Sequence, residues 1–196
     1  MKTLNGGNIV NGNCHCMFGA AVGTAIAINI NKVAESFPNI HATSEFSTLF
    51  ILGGILGGVL PDIDNPVSHV GRLTAPISNF IAAIGNLAGR GYVKHRGIMH
   101  DPLIYIAGLI VSYLYFPPLV CLLVGCLSHI YLDLFNPSGV PFAFGIRHWR
   151  LGTITSGSHA SKILTWAHVL FIIVVSFAFK VGVFQGLYRV TYISFP

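Results

Sequence analysis

Four of the six acidic residues in this 196-residue chain lie in short motifs that also contain proline or histidine, namely Asp62, Asp64, Asp101 and Asp133. Only 9% of the residues are charged, so these carboxylates are not needed for solubility. Ionisable groups close to hydrocarbon are costly and usually serve a function. Carboxylates and imidazoles are also common ligands of divalent metal ions. The pattern therefore predicts a metal site.

The first motif is LPDIDNP at residues 60–66, directly after an apolar stretch. In an extended segment, side chains two positions apart point the same way, so Asp62 and Asp64 are expected to face one cation. The alternative is a turn that stops a helix, with an aspartate as its cap. We favour metal binding because the other motifs converge on the same side of the membrane.

The second motif is KHRGIMHDP at residues 94–102. Asp101 followed by proline is typical of a helix start, which would put His100 at the mouth of that helix. His95 or Asp101 is the candidate general acid or base. Arg96 is suited to contact an anionic substrate oxygen. An anchor that follows the positive-inside rule is the alternative interpretation of Arg96.

The third motif pairs His129 with Asp133, four residues later, so that both lie on one face of a helix. This arrangement is a good two-ligand arm for zinc. His15 precedes the first apolar stretch on the same predicted side of the membrane. Cys14 and Cys16 flank His15 and offer an alternative site for a soft metal, with ordinary burial of the thiols as the simpler interpretation.

The predicted ligands come from four separate segments of the chain. They are His15, Asp62, Asp64, His100, His129 and Asp133. Together with His95 they exceed what one tetrahedral zinc ion needs, so either two ions bind or some of these residues act as a second shell or a general base. Zinc is the expected cofactor, and manganese and iron remain alternatives because spacing does not distinguish them.

Composition indicates which elements position these residues. Hydrophobic residues make up 53% of the chain and its mean hydropathy is +0.70, so lipid must solvate much of the surface. Five apolar stretches at about 17–30, 46–60, 102–116, 119–135 and 163–184 predict an all-α, polytopic transmembrane bundle of about five spans. Residues 76–89 are expected to form an interfacial or re-entrant helix. The whole chain, 1–196, is predicted to be a single membrane domain with an N-terminal loop over 1–14.

The basic residues predict the orientation of this bundle. With five spans, most of them fall on the side of the N-terminus and of the 61–101 and 136–162 loops. These are Lys2, Arg72, Arg90, Lys94, Arg96, Arg147, Arg150 and Lys162. The positive-inside rule then makes both loops and the predicted metal site cytoplasmic. The RHWR cluster at 147–150 is suited to the lipid headgroup region or, alternatively, to a substrate phosphate.

Three glycine pairs spaced four residues apart lie in the apolar stretches. They are Gly19 and Gly23, Gly53 and Gly57, and Gly54 and Gly58. Such pairs let helix backbones approach closely, and we expect them to serve packing.

The motifs resemble those of a known family. PDIDNP at 61–66, HRG at 95–97 with His100, and SH at 128–129 with Asp133 and NPSGVP at 136–141 are similar in order and spacing to the LexA-regulated, inner membrane-associated metal-dependent hydrolases of bacteria. The resemblance covers about residues 14–158. It implies a multi-pass inner-membrane protein, induction in the SOS response and hydrolase activity. The chain departs from the family pattern at Asn65, Asp101 and Ser161, where relatives often carry histidine, serine and glutamate.

These observations predict a membrane-bound hydrolase in which metal-activated water attacks an ester or phosphoester. A lipid-linked substrate fits a site at headgroup level. The alternatives are a transporter of metal ions or protons and a non-catalytic protein with a structural metal. The outer halves of the apolar stretches are almost wholly apolar, which disfavours a transport path. The bilayer is the expected partner, and no nucleic acid is expected because membrane topology explains the net charge of +5.

Overall fold

The computed structural model describes residues 7–66, 68–87, 97–143 and 146–182. The described part is mostly helical, with helices α1 (Gly7–Ile28), α2 (Ile30–Ser36), α3 (Ser44–Gly57), α4 (His69–Leu73), α5 (Ala75–Leu87), α6 (Pro102–Tyr115), α7 (Pro118–Asp133) and α8 (His159–Lys180). Two short 3-10 turns cover Leu60–Asp64 and Ile98–His100. An antiparallel hairpin of β1 (Val140–Phe142) and β2 (Arg147–Trp149) is the one departure from an all-α fold in these residues.

The N-terminal part of the chain differs from the expected loop. Helix α1 already begins at Gly7, whereas a loop was predicted through residue 14. Glycine and asparagine are poor helix formers, and their abundance here suggested the loop. Helix propensity is a weak prior that tertiary packing overrides. His15 therefore projects from helical backbone.

The helix lengths do not confirm five membrane spans. Two segments are long and apolar enough to cross a bilayer, namely α3 with its following 3-10 turn (Ser44–Asp64) and α8. Helices α1 and α2 make a third if they count as one span bent by 75°. Helices α6 and α7 have only 14 and 16 residues, fewer than the ~20 that an untilted span needs. These helices match the predicted apolar stretches 102–116 and 119–135, which are likewise shorter than an untilted span.

Several boundaries follow the sequence closely. Helix α6 ends at Tyr115 and α7 begins at Pro118, since the two consecutive prolines, Pro117 and Pro118, cannot continue α6. The expected interfacial or re-entrant segment is helix α5. The 61–101 region is more structured than a loop, since it contains both 3-10 turns, α4 and α5.

Helix α3 lies between α1 and α7, and glycines mark both contacts. A Cβ on Gly19 of α1 would lie 2.1 Å from the carbonyl oxygen of Gly54 in α3. A Cβ on Gly125 of α7 would lie 2.4 Å from the carbonyl oxygen of Gly53. Because neither contact leaves room for a side chain, the three helices meet backbone to backbone. The predicted packing role of the glycine pairs is confirmed.

The same contacts align the end of α3 with α1. A Cβ on Gly58, the residue that ends α3, would lie 2.6 Å from the carbonyl oxygen of His15. The 3-10 turn that follows α3 contacts both helix α7 and the turn Ile98–His100. The elements that carry the predicted ligands therefore meet at one end of the bundle.

We expect Gly19→Ala to destabilise the protein, because its new methyl group meets the backbone of α3 and neither helix can yield locally. The expected loss is roughly 1–3 kcal/mol in the free energy of unfolding. Gly12→Ala in the same helix is the matched control, since a Cβ there meets nothing within 4 Å. That control should be neutral or slightly stabilising. Equal effects of the two substitutions on unfolding in detergent would contradict the packing interpretation.

Candidate metal centre

Two imidazoles and two carboxylates enclose one small space at the end of the bundle. His100 Nε2 lies 3.6 Å from Asp62 Oδ1 and 3.5 Å from Asp133 Oδ2. His129 Nε2 lies 3.7 Å and 3.6 Å from the same two oxygens. We call these four residues the tetrahedral group.

The distances between these atoms can be compared with those around a bound ion. Zinc with ligand bonds of ~2.1 Å has ligand-to-ligand edges of about 3.4 Å in a regular tetrahedron. An octahedral magnesium ion with bonds of similar length has edges of about 3.0 Å. The four distances of 3.5–3.7 Å in this protein are closer to the tetrahedral value, and the donor atoms of Asp62, His100 and His129 all lie within 4.8 Å of one another.

Three separate elements supply the group. Asp62 lies in the 3-10 turn Leu60–Asp64, and His100 ends the turn Ile98–His100. His129 and Asp133 lie one helical turn apart near the end of α7, as their spacing predicted. The structure thus brings together residues that are as far apart as 62 and 133 in the sequence.

One ring nitrogen of each histidine in the group is buried without a hydrogen-bond partner. Nε2 of His100 and Nε2 of His129 are buried and have no hydrogen-bond partner within the described part of the chain. A buried polar atom without a partner costs about 1–3 kcal/mol, which a bound cation would remove. The side chain of Asp62 is 19% exposed and that of Asp133 only 3%, so the group is most open on the Asp62 side. The donor set and its burial therefore fit a divalent metal ion.

Both histidines are oriented by a bond on the far side of the ring. His129 Nδ1 lies 2.8 Å from the carbonyl oxygen of Gly58. A carbonyl oxygen only accepts, so Nδ1 carries the proton and Nε2 keeps its lone pair. His100 Nδ1 lies 3.3 Å from Asp64 Oδ2, which fixes the same tautomer. Such outer bonds are typical of metal-binding histidines.

Asp64 was predicted to face the cation beside Asp62, and the structure places it elsewhere. Its Oδ2 accepts a hydrogen bond from the backbone N–H of Gly97, 3.0 Å away, and contacts the far side of the His100 ring. The prediction assumed an extended segment. In the 3-10 turn observed, with three residues per turn, side chains two positions apart diverge. Asp64 is thus suited to orienting His100, and direct binding of an ion by Asp64 stays a prediction.

The carboxylates around His100 favour a positive charge at this site. Burial on its own lowers the pKa of the His100 imidazole, but Asp62, Asp64 and Asp133 outweigh it and raise the pKa to about 9. The same carboxylates therefore favour positive charge at this position, whether as a second proton on His100 or as a divalent cation. An ion that binds here takes the place of that proton.

Asn136 contacts the Asp133 carboxylate, an interaction that the sequence did not predict. Its Nδ2 donates to Asp133 Oδ1 over 2.7 Å, and its Oδ1 accepts from the hydroxyl of Ser156. In the sequence, Asn136 stood out only as the first residue of the NPSGVP segment at 136–141. A buried amide three residues after a candidate carboxylate ligand was the available signal.

His15 lies beside the tetrahedral group. Its Nε2 is 3.5 Å from Asp133 Oδ1, and its ring stacks on His129 with centroids 3.9 Å apart. His15, His129 and Asp133 also form a three-residue group with donor atoms within 4.8 Å of one another. His129 offers only one free nitrogen, so the two groups share a ligand. Within the described residues, this geometry supports one ion more readily than two.

The other predicted site residues have mixed outcomes. His95 and Arg96 lie outside the described residues, and their roles stay predictions. Asp101 is buried and caps α6, where its Oδ1 accepts from the backbone N–H of Leu103 over 3.0 Å. That cap was predicted, and a general acid or base role for Asp101 stays a prediction. Cys14 and Cys16 belong to neither of the His/Asp groups.

Fold and site together define a small helical membrane protein with a histidine and aspartate cluster at one end of its bundle. The chain belongs to the YdjM inner membrane protein family, whose model matches residues 10–193. This membership supports an inner-membrane location.

Two curated relatives are the inner membrane protein YdjM of Escherichia coli (strain K12) and that of Shigella flexneri. Each is 38% identical over 105 residues, which is 49% of this chain and 48% of the relative. The aligned part thus spans about half the length of either relative. No solved structure matches the chain.

We expect Asn136→Ala to weaken metal binding by about 10–100-fold, the usual effect of losing an outer-shell bond to a ligand. The cause is the freed rotation of the Asp133 carboxylate. Asn39→Ala is the control, because Asn39 donates to the carbonyl oxygen of Tyr113, far along the sequence from every ligand. Titration of both purified variants with zinc checks the prediction. Equal affinities would remove Asn136 from the site.

Proposed function

We propose that this protein is a membrane-bound metal-dependent hydrolase. Its site would face the cytoplasm and act on an ester or phosphoester, with a lipid-linked compound as the preferred substrate class. Induction in the SOS response under LexA control is part of the same proposal. The observation that carries the proposal is the tetrahedral group, in which two buried ring nitrogens each lie 3.5–3.7 Å from the same two carboxylate oxygens.

The residues have distinct tasks in this proposal. His100, His129, Asp62 and Asp133 would hold the ion, which when bound supplies hydroxide by lowering the pKa of water toward neutrality. Asp64 and Gly58 orient the two imidazoles. Asp62 lies at the most open edge of the group, which is where water and substrate would enter.

The distribution of charge supports a cytoplasmic site. Arg147 and Arg150 lie on or next to strand β2, which follows the ligand-bearing end of α7. Lys32 and Lys180 lie at the opposite end of the bundle, where the Lys32 ammonium group donates to the carbonyl oxygen of Phe179. Under the positive-inside rule, this favours the end with the tetrahedral group as the cytoplasmic one.

A non-catalytic metal site is the second candidate, and the ligand number favours it. Four protein ligands fill a tetrahedron, as in structural zinc sites, whereas catalytic zinc keeps one position open. In that case the ion would only fasten α7 to the segments around Asp62 and His100. Catalysis requires that Asp62 or Asp133 yields its place or that the ion takes a fifth ligand.

Metal content tests both candidates at once. We expect purified protein to hold about one zinc ion per chain. Asp62→Ala and His129→Ala should lower the affinity more than the roughly 10–100-fold typical of outer-shell changes. Glu35→Ala and His41→Ala are matched controls, since both side chains are exposed in the α2–α3 region. Metal content that is the same in all five proteins would overturn the metal centre.

An open coordination position on the ion distinguishes a catalytic metal from a structural one. We expect cobalt-loaded protein to change its visible spectrum when azide is added, because a catalytic ion can accept a further ligand. The same preparation should hydrolyse members of an ester and phosphoester panel, and His129→Ala should not. A spectrum unmoved by azide, with no hydrolysis, would favour the structural metal.

A further inference from the structure

The hairpin that follows α7 carries a surface that neither proposed function uses. Strand β1 pairs with β2, with Val140 opposite Trp149 and Phe142 opposite Arg147. All three residues of β2 are exposed. We call β2 with Ile146, Arg150 and Leu151 the basic edge.

Several contacts fix the basic edge to the end of α7. Val140 is fully buried in a cluster with Tyr105, Cys126 and Ile130. The backbone N–H of Leu151 donates to the carbonyl oxygen of Leu134 over 2.7 Å. The hairpin therefore has a fixed position next to Asp133.

The basic edge exposes large apolar side chains beside its charges. Ile146 is 79% exposed, Leu151 67% and Trp149 47%, and the Trp149 ring stacks on Phe142 with centroids 3.8 Å apart. Burying such side chains stabilises a protein, so water is a poor environment for them. Tryptophan and arginine together are typical of the membrane interface, where the ring contacts acyl chains and the charge contacts headgroups.

The charges of the basic edge have no acidic neighbours along the chain. No aspartate or glutamate follows Asp133 in the sequence. Arg150 donates to the carbonyl oxygen of Pro137 over 3.1 Å, and its guanidinium has further N–H donors to offer. A cavity of about 430 Å³ between Leu134 and residues 148–151 is lined by His148, Trp149 and Arg150. Its size lies within the range of small-ligand sites.

We propose that the basic edge binds the phosphate of an anionic phospholipid of the surrounding bilayer. Arg147 and Arg150 contact the phosphate, and Ile146, Trp149 and Leu151 lie among the upper acyl chains. The charge complementarity and the mixed apolar and basic surface favour a lipid over a soluble phosphate compound. This proposal goes beyond the hydrolase proposal and does not need the metal ion.

Energy transfer from Trp149 to dansyl-labelled lipids tests the proposal. Trp166→Phe leaves Trp149 as the single tryptophan of the full chain, because the sequence contains two. In nanodiscs we expect stronger transfer to dansyl-phosphatidylglycerol than to dansyl-phosphatidylcholine. In the same background, Arg147→Gln with Arg150→Gln should lower this preference by roughly fivefold per arginine removed.

Control variants and conditions show whether the lipid preference depends on the charge of the two arginines, on the lipid itself or on the fold. Arg147→Lys with Arg150→Lys keeps the charge and should keep the preference, and Lys180→Gln at the other end of α8 should leave it unchanged. Equal transfer to both lipids in the Trp166→Phe protein would overturn the proposal. If adding inorganic phosphate at constant ionic strength abolishes the preference, the site binds free phosphate. That result would contradict the proposal that the bound phosphate belongs to a lipid. Zinc content measured on the same samples shows separately whether the metal proposal holds.

Discussion

The close approach of three helix backbones is the constraint on which the rest of the structure depends. Within lipid, the hydrophobic effect does not drive apolar helices to associate. Van der Waals packing must therefore hold α1, α3 and α7 together. Glycines at both faces of α3 make this packing possible. The contact also reaches the proposed site, since the end of α3 comes near enough for the Gly58 carbonyl to orient His129. A looser bundle would leave that imidazole without a fixed direction.

Features set by local geometry were predictable from the sequence. A helix places residues four apart on one face, so His129 and Asp133 were paired correctly. The cap formed by Asp101 follows from its position before a proline, and that too was predicted. The glycine spacing indicated close helix contacts without telling which helices meet. In each case the prediction depended on residues only a few positions apart in the sequence.

Features that depend on backbone detail or distant contacts were not predictable. The contact of Asp64 with the far side of the His100 ring was not foreseen, because the segment forms a 3-10 turn that the motif alone does not reveal. The number of spans is not confirmed, because α6 and α7 are shorter than the two or three segments in the described residues that are long and apolar enough to cross a bilayer. The hairpin was missed because its strands have three residues each and one contains Pro141. The bond from Ser156 to Asn136 joins residues 20 apart and becomes visible only in three dimensions.

X-ray absorption at the zinc edge of purified, zinc-loaded protein tests the central claim most directly. The account predicts nitrogen and oxygen neighbours alone, about four of them at ~2.0–2.1 Å, with the outer-shell scattering of two imidazoles. Sulfur neighbours at about 2.3 Å would instead place the ion on the thiols of Cys14 and Cys16. That result, or protein that retains no zinc at all, would contradict an ion held jointly by α7 and the turns that carry Asp62 and His100.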